Sequence, residues 1–365
     1  MSRFSPLPLP VRALAALLAL AVLLVLGYGV YYLAAYYRIE DNLPLEVQHA
    51  ADSDGAVLSA GQEYAIATWN LGFGAYSADF SFFMDGGTES RAYSAEAVRT
   101  NIGGAVETLR QLALDFVLLQ EVDVDATRSH HVNEYQMAAE GFSGFENVLA
   151  INFDSPYLFW PLLEPHGKSL SGIVTFSRFP IESALRRSLP IDKGITHVVD
   201  LDRCYSISEL PVENGRKLYL INIHASAYSE EPETVPAQMQ MLAADLEKYY
   251  AGGENYVIVG GDFNQDLPGD SALQLNGSTE GYSWARAFDR SALPDHISVA
   301  DYTQSPLLPT TRNCDTAYQP GKTFVLCMDG FLVSDNVEVR SVEVLDEGFV
   351  CSDHNPVRME FLLKG

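Results

Sequence analysis

Short apolar runs alternate with polar turns along most of this chain, and the apolar positions recur at two different periods. Tyr64-Ala65-Ile66-Ala67-Thr68-Trp69, Phe116-Val117-Leu118-Leu119, Leu218-Tyr219-Leu220-Ile221 and Tyr256-Val257-Ile258-Val259 are rich in β-branched and aromatic residues and are closed by turn residues. Such runs read as buried strands. Between them, Val98, Ile102, Ala105 and Leu109 share one helical stripe within residues 93–114, and Val235, Met239, Leu242 and Leu246 share another within residues 234–250. Stripes of this width predict helices that bury one face. Alternating strands and helices predict an α/β domain over residues 62–365, long enough for one large core and without an internal repeat to divide it.

The N-terminal pattern is different. Residues 11–37 carry Arg12 as their only charge; Ala, Leu and Val fill the first half, and Tyr28, Tyr31, Tyr32, Tyr36 and Tyr37 are interspersed in the second. About 20 apolar residues suffice to cross a bilayer, and tyrosines favour its interface. The expectation is a transmembrane signal-anchor at 11–37, with Ala34-Ala35 leaving cleavage as the alternative. Residues 1–10 would form a cytoplasmic N-terminus and 38–61, with Asp41, Glu46, Asp52 and Asp54, a polar tether. Arg3 and Arg12 lie before the aliphatic stretch that begins at Ala13, whereas Arg38 is followed almost at once by Glu40 and Asp41. This bias favours an extracytoplasmic C-terminal domain.

The candidate chemistry lies where apolar runs end. Asn70 follows Trp69, Glu121 follows Gln120, His224 closes Asn222-Ile223-His224, and Asp262 and Asn264 belong to Gly261-Asp262-Phe263-Asn264. Further on come Asp329 in Met328-Asp329-Gly330 and the run Ser352-Asp353-His354-Asn355-Pro356. Singly, each is an ordinary turn or cap residue. Strand ends gather at one edge of a sheet, where ligands bind in layered α/β proteins. Gathered there, these residues would offer carboxylates to a hard divalent cation, two imidazoles and several carboxamides, a set suited to metal-assisted phosphodiester cleavage. No Gly-x-Ser-x-Gly elbow, Gly-x-x-x-x-Gly-Lys loop or Gly-x-Gly-x-x-Gly fingerprint is present, which argues against serine hydrolases, NTPases and dinucleotide enzymes.

On these segments the chain resembles the endonuclease/exonuclease/phosphatase superfamily, the deoxyribonuclease-I-like fold that also holds abasic-site endonucleases, neutral sphingomyelinases and inositol polyphosphate phosphatases. The resemblance runs from about Tyr64 to Leu363. It implies a four-layer α/β sandwich, two packed mixed sheets flanked by helices. It also implies Mg²⁺, with Mn²⁺ as the alternative. Glu121 and Asp353 then look like metal carboxylates, and Asn70 like the asparagine that orients Glu121 near the metal. Asp262 and Asn264 look like the pair that positions the attacking water and contacts phosphate. His354, oriented by Asp329, looks like the catalytic base or acid, and His224 like a phosphate-stabilising donor. The segment 171–180 resembles a structural strand and turn of the family. The inositol phosphatase branch fits less well, because Cys327-Met328-Asp329-Gly330 lacks the expected arginine.

Charge bears on the substrate. Of 23 Lys+Arg and 48 Asp+Glu, Arg3, Arg12, Arg38 and Glu40 lie at or before residue 40, leaving 20 basic against 47 acidic residues, a net −27, beyond it. A polyanion would meet net repulsion, and no Lys/Arg cluster offers to neutralise a run of phosphates. A small or lipid phosphodiester is therefore favoured, as in sphingomyelinases or phospholipases C, with the bilayer as partner through 11–37. An extracytoplasmic nuclease is the alternative, and a non-catalytic binding module the reading from another class. The four cysteines include Cys314 and Cys327 around a Pro320-Gly321 turn, the pair best placed to bridge, while Cys204 and Cys351 lie in apolar contexts. Residues 76–91, with Phe80, Phe82, Phe83 and Met84, and residues 266–311 are candidate substrate-selecting loops. The 80–84 cluster reads either as a membrane contact or, more often for such clusters, as a local core. The topology predicts that a reporter fused after Gly365 is active only outside the cytoplasm; a C-terminus active inside would reverse it.

Overall fold

A computed structural model describes residues 8–50, 55–193, 201–227, 229, 231–278 and 285–365. The chain forms two compact units, divided between Arg38 and Ile39. In chain order the strands are β1 (Leu43–Pro44), β2 (Val47–Gln48), β3 (Glu63–Asn70), β4 (Phe116–Ala126), β5 (Glu146–Asp154), β6 (Ser169–Ser177), β7 (Ser183–Ser188), β8 (Cys204–Pro211), β9 (Lys217–His224), β10 (Tyr256–Asp262), β11 (Ile297–Val299), β12 (Thr311–Arg312), β13 (Val325–Leu326), β14 (Asp329–Ser334), β15 (Val337–Val344) and β16 (Val357–Leu363). The helices are α1 (Leu9–Ala35), α2 (Ala95–Arg110), α3 (Glu134–Gly141), α4 (Thr234–Tyr250) and α5 (Ser271–Asn276).

The first unit is α1. Pro10 lies in its first turn, where proline's missing N–H costs no hydrogen bond. The 27 residues extend about 40 Å at 1.5 Å each, more than the ~30 Å hydrocarbon thickness of a bilayer. With a mean hydropathy of 2.6 over its most apolar stretch, the helix is long and apolar enough to cross a membrane. Arg3, and with it most of the expected N-terminus 1–10, lies outside the described residues, as do Asp52 and Asp54.

Two seven-stranded mixed sheets build the second unit, ordered β1-β7-β8-β9-β10-β14-β11 and β15-β16-β3-β4-β6-β5-β2. Period-two alternation decides which side chains face which layer. Leu218, Leu220 and Ile258 of one sheet share a core with Ile66, Leu118 and Met359 of the other, so this cluster is the interface between the sheets. The alternate residues Ala67, Val117 and Leu119 pack under α2 with Val98, Ile102 and Leu109. On the opposite outer face, Ile221, Ile223, Val257 and Val259 pack with Met239, Leu242 and Leu246 of α4. The result is the expected order of helix, sheet, sheet, helix. Gly260 marks how closely the sheets approach, since a Cβ there would lie 2.6 Å from Leu118 of the other sheet.

Local differences from the sequence expectation have identifiable causes. Helix α2 starts at Ala95 because the Ser94 side chain caps it, accepting from Ala97 N at 3.1 Å. It ends at Arg110, short of residue 114, and Ala113 then turns with φ +49°. Helix α4 has the expected bounds. Helices α3 and α5 are too short to show a stripe. The presumed tether is ordered over its first part: Asp41 accepts from Arg187 Nε at 3.0 Å and Ser188 N at 2.9 Å, β1 pairs with β7, and β2 pairs with β5. The expected Cys314–Cys327 bridge is absent, and all four cysteines are free thiols. Thr311 pairs with Leu326 and Arg312 with Val325, so Cys327 falls opposite Thr310, four residues, or about 13 Å, from Cys314. A disulfide tolerates Cα separations only to about 7 Å.

The 80–84 cluster is a local core. Phe80 is fully buried, Phe82 is packed against the same cluster, and only Met84 is well exposed. His166 helps to close this region, its ring packing against Phe73, Phe82 and Phe83 and its Nδ1 donating to Ser90 O at 2.9 Å. Burial first, and the Arg128 charge second, push this imidazole down to about 4. Above pH 6.5 neither folded nor unfolded state is protonated here. Below it only the unfolded state gains the proton, so stability should fall by up to about 1.4 kcal/mol per pH unit until roughly pH 4. Urea unfolding of His166→Asn beside the parent should lose one proton's worth of that slope; parallel pH profiles would refute the assignment.

Candidate active site

Strand register gathers the polar strand ends. In one sheet, β9 runs parallel to β10 with His224 beside Asp262, and β14 runs antiparallel to β10 with Asp329 on its other side. Asp329 begins its strand while Asp262 ends its own, and antiparallel pairing brings both to the same edge. In the other sheet, Asn70 ends β3 beside Gln120 of the parallel β4. Antiparallel β16 places the preceding turn, with Asp353 and His354, at that edge. Trp69 Nε1 donates to His354 O at 2.8 Å, and Ser352 Oγ donates to Asn70 O at 2.6 Å while accepting from His354 N at 3.1 Å. Ser352 and Asn355, whose amide reaches Pro309 O at 3.0 Å, thus shape the turn that aims the histidine.

Asp262 is the hub of the site. It is buried, receives Asn70 Nδ2 from the other sheet at 2.9 Å, and accepts from Asn264 N at 2.9 Å. Its Oδ2 lies 3.9 Å from His354 Nε2 and 3.7 Å from His224 Nε2. Burial first, and the adjacent Asp329 charge second, raise its pKa. His354 Nδ1 is 2.8 Å from Asp329 Oδ2, and its Nε2 is 3.3 Å from Thr311 Oγ1. Burial alone would pull this imidazole toward its neutral form, but the charges of Asp329, Asp353 and Asp262 prevail and push it up to about 10. A carboxylate on Nδ1 fixes the tautomer and leaves Nε2 facing Asp262 and Thr311.

His224 is arranged differently. Its Nε2 accepts from Arg203 Nη1 at 2.7 Å, and its Nδ1 lies 3.4 Å from the amide of Asn152. Burial, then the positive charge of Arg203, hold its pKa well below the usual value. As placed, this imidazole is a neutral acceptor, and the cationic donor beside it is Arg203. Arg203 Nε is buried with no partner among the described residues. The sequence reading missed Arg203 and Asn152, because nothing along the chain tells that Cys204 will pair with His224 or that β5 will reach it.

Glu121 interrupts the β4–β6 ladder at a bulge, with φ +52°. Such a left-handed non-glycine costs on the order of 1–3 kcal/mol and re-aims a side chain. Its carboxylate lies 3.4 Å from Asn70 Nδ2 and 3.7 Å from His224 Nε2. Burial raises its pKa; the Arg128 charge opposes this and the Asp353 charge adds to it. Arg128 is itself pinned by two bonds to Asp123, at 3.1 and 2.8 Å. Asn70 turns its amide nitrogen to Glu121 and Asp262 and its oxygen to Gly72 N at 2.9 Å, so it orients these carboxylates. Gly72, with φ +53°, leaves room for Asp353, whose Oδ1 would lie 2.8 Å from a Cβ there. Asn264, also left-handed at φ +51°, donates its amide to Ala225 O at 2.9 Å.

All eight residues singled out by sequence therefore meet at one edge. Asp262, Asp329 and His354 present donor atoms within 4.8 Å of one another, a group able to hold a metal ion. The Asp353 charge acts on both Glu121 and His354 beside this group. Buried Asp329 Oδ1 has no partner among the described residues. Carboxylate oxygens massed this way suit a hard divalent cation such as Mg²⁺ or Mn²⁺, so the donor set fits the metal that the resemblance implies.

Two mixed sheets between helices, with an acid–imidazole centre at one sheet edge, define the class of fold and site. A model of the Endonuclease/Exonuclease/phosphatase family matches residues 67–354, and the chain belongs to that family. No curated protein matches it. Among solved structures, it is similar at 16% identity to an endonuclease/exonuclease/phosphatase from Bacteroides vulgatus (TM-score 0.54, covering 83% of this chain and 100% of that one). It is likewise similar at 16% identity to one from Beutenbergia cavernae (TM-score 0.53, 83% and 72%). ANGEL2, a 2′,3′-cyclic phosphatase crystallised with adenosine-2′,3′-vanadate, is similar at 14% identity (TM-score 0.55, 88% and 99%). These likenesses support the fold.

Since Arg203 depresses the His224 pKa, Arg203→Met should raise the His224 titration midpoint while leaving it below 6.5, because burial is the larger cause. Imidazole NMR titration reads this directly, and an unmoved midpoint would remove Arg203 from the account.

Proposed function

We propose that this protein is a divalent-metal-dependent phosphodiester hydrolase, held in a membrane by α1 with its catalytic unit outside the cytoplasm, and that it acts on a small or lipid phosphodiester. The observation that carries the reading is the buried His354–Asp329 pair at 2.8 Å, with His354 Nε2 turned toward Asp262. Glu121 and Asp353 would hold the metal, with Asn70 orienting Glu121. A bound dication supplies positive charge against phosphate oxygens and lowers the pKa of water.

Within the protein, Asp262 offers a carboxylate of raised pKa to accept the proton of the attacking water. His354 holds a proton on Nε2 where the leaving oxygen can receive it, and Asp329 stabilises the imidazolium. Arg203 would donate to a non-bridging phosphate oxygen, with His224 keeping its guanidinium in place; donors preorganised in this way act on charge that grows in the transition state. Asn264 closes the turn after Asp262 and keeps that carboxylate aimed.

Arg203 provides one buried positive group beside His224, enough for one phosphate, whereas the chain beyond residue 40 carries a net −27. This contrast supports a lone phosphodiester over a polyanion.

The test uses the full chain in vesicles, with Mg²⁺ and again after EDTA, on choline phospholipid and sphingomyelin and, in parallel, on single- and double-stranded DNA. Metal-requiring head-group release is expected, and His354→Ala should lower kcat by about 10²–10⁴-fold, the usual worth of a general acid–base group. DNA cleavage without lipid turnover would overturn the substrate assignment, full activity of His354→Ala would overturn the catalytic one, and no hydrolysis of any phosphodiester would favour a binding module.

A further inference from the structure

Among the described residues of the second unit, exposed large apolar side chains are scattered singly except in the connection between β5 and β6. Here Phe159 is 50% exposed, Trp160 65%, Leu162 74% and Leu163 102%, four such residues within five positions. Residues 155–163 read Ser-Pro-Tyr-Leu-Phe-Trp-Pro-Leu-Leu and contain no charge. An exposed apolar patch of this kind marks a contact with another apolar phase.

The loop is held in this exposed form by its base. Leu158 and Gly167 exchange backbone hydrogen bonds of 3.0 Å in both directions, and His166 N reaches Trp160 O at 3.0 Å. Ser90 Oγ and Arg91 Nε donate to Glu164 O and Pro165 O. Tyr157 packs on Phe159 with ring centroids 4.7 Å apart. The tip therefore presents its side chains outward on a fixed stem. That stem leaves the sheet at the catalytic edge: Asp154 pairs with Leu170, Ala126 of β4 pairs with Ser169, and Asn152, three positions before the loop, reaches His224.

We propose that residues 157–163 insert into the surface of a lipid bilayer and bring the catalytic edge against it. Three features favour lipid as the occupant. The same chain carries a helix long and apolar enough to cross a bilayer. Tyr157, Phe159 and Trp160 together with Leu162 and Leu163 match the aromatic and aliphatic mixture that settles at the membrane interface. The net −27 of the chain beyond residue 40 gives no electrostatic attraction to a membrane, so a stable contact has to be apolar. The inference goes beyond the proposed reaction and does not depend on it; if that reaction is right, the loop selects substrates presented in a bilayer.

The experiment reconstitutes the full chain, and separately Trp160→Phe, into phosphatidylcholine vesicles with plain or brominated acyl chains. The difference between the two emission spectra isolates Trp160. It should be blue-shifted and fall about two-fold or more with brominated lipid, as for an interfacial side chain in contact with acyl chains. Water-like emission indifferent to bromine would overturn the proposal. A blue-shifted emission indifferent to bromine but dependent on protein concentration would overturn it in favour of a second copy. A combined Phe159→Ser, Trp160→Ser, Leu162→Ser, Leu163→Ser variant should raise KM about ten-fold for a vesicle-borne phosphodiester and leave hydrolysis of soluble bis(p-nitrophenyl) phosphate unchanged, consistent with loss of an interfacial anchor alone. Equal KM values for the vesicle substrate would count against it. If no phosphodiester is hydrolysed, the proposed reaction fails while the emission arm still decides the loop.

Discussion

The site depends on how the two sheets are joined beneath it. Gln120 Nε2 of one sheet donates to Asn222 Oδ1 of the other at 2.8 Å, and Asn222 Nδ2 returns to Leu119 O and Val174 O at 3.2 and 2.9 Å. Buried amides are costly unless satisfied, and these are satisfied only in one relative register of the sheets. A one-residue slip would strand them and would also separate Asn70 from Asp262. The apolar interface alone is non-directional and cannot impose such a register. The carboxamides at strand ends thus do structural work that places the carboxylates.

That register forces together groups that repel. Asp262, Asp329, Asp353 and Glu121 share a small volume relieved by His354, Arg203 and Arg128. Burial first, and then neighbouring carboxylates, raise the pKa of Glu121 and Asp262, and the same carboxylates outweigh burial to raise that of His354. Folding places these groups in a position that binding of a cation would improve. Two left-handed non-glycine residues at the site, Glu121 and Asn264, add backbone strain that the surrounding sheets hold in place.

Most of this could be read along the chain, for a physical reason. Buried strands in layered folds are continuous apolar runs, so their ends are visible, and Asn70, His224 and Asp262 each close one. Apolar runs and helical stripes likewise located β3, β4, β9 and β10 and the helices α2 and α4, while the layering into two sheets came from the resemblance. What remained hidden depends on pairing between distant strands. Arg203 is informative only once β8 lies against β9, and the Cys314–Cys327 bridge failed because hairpin register, invisible in sequence, offsets the two. The aromatic cluster at 80–84 attracted notice by composition, but composition does not tell inside from outside. The exposed apolar residues at 159–163 were overlooked for the same reason.

The segment that follows α1 closes more than a gap in the chain. Within six residues it pairs β1 onto the edge strand of one sheet and β2 onto the edge strand of the other. Unprotected sheet edges recruit further strands. Residues 43–48 therefore act as a clasp across two open seams, and a soluble fragment cut to begin at residue 62 would expose both seams to neighbouring molecules. The boundary of the folding unit lies at Ile39, and the clasp makes the segment after the apolar helix a part of the second unit.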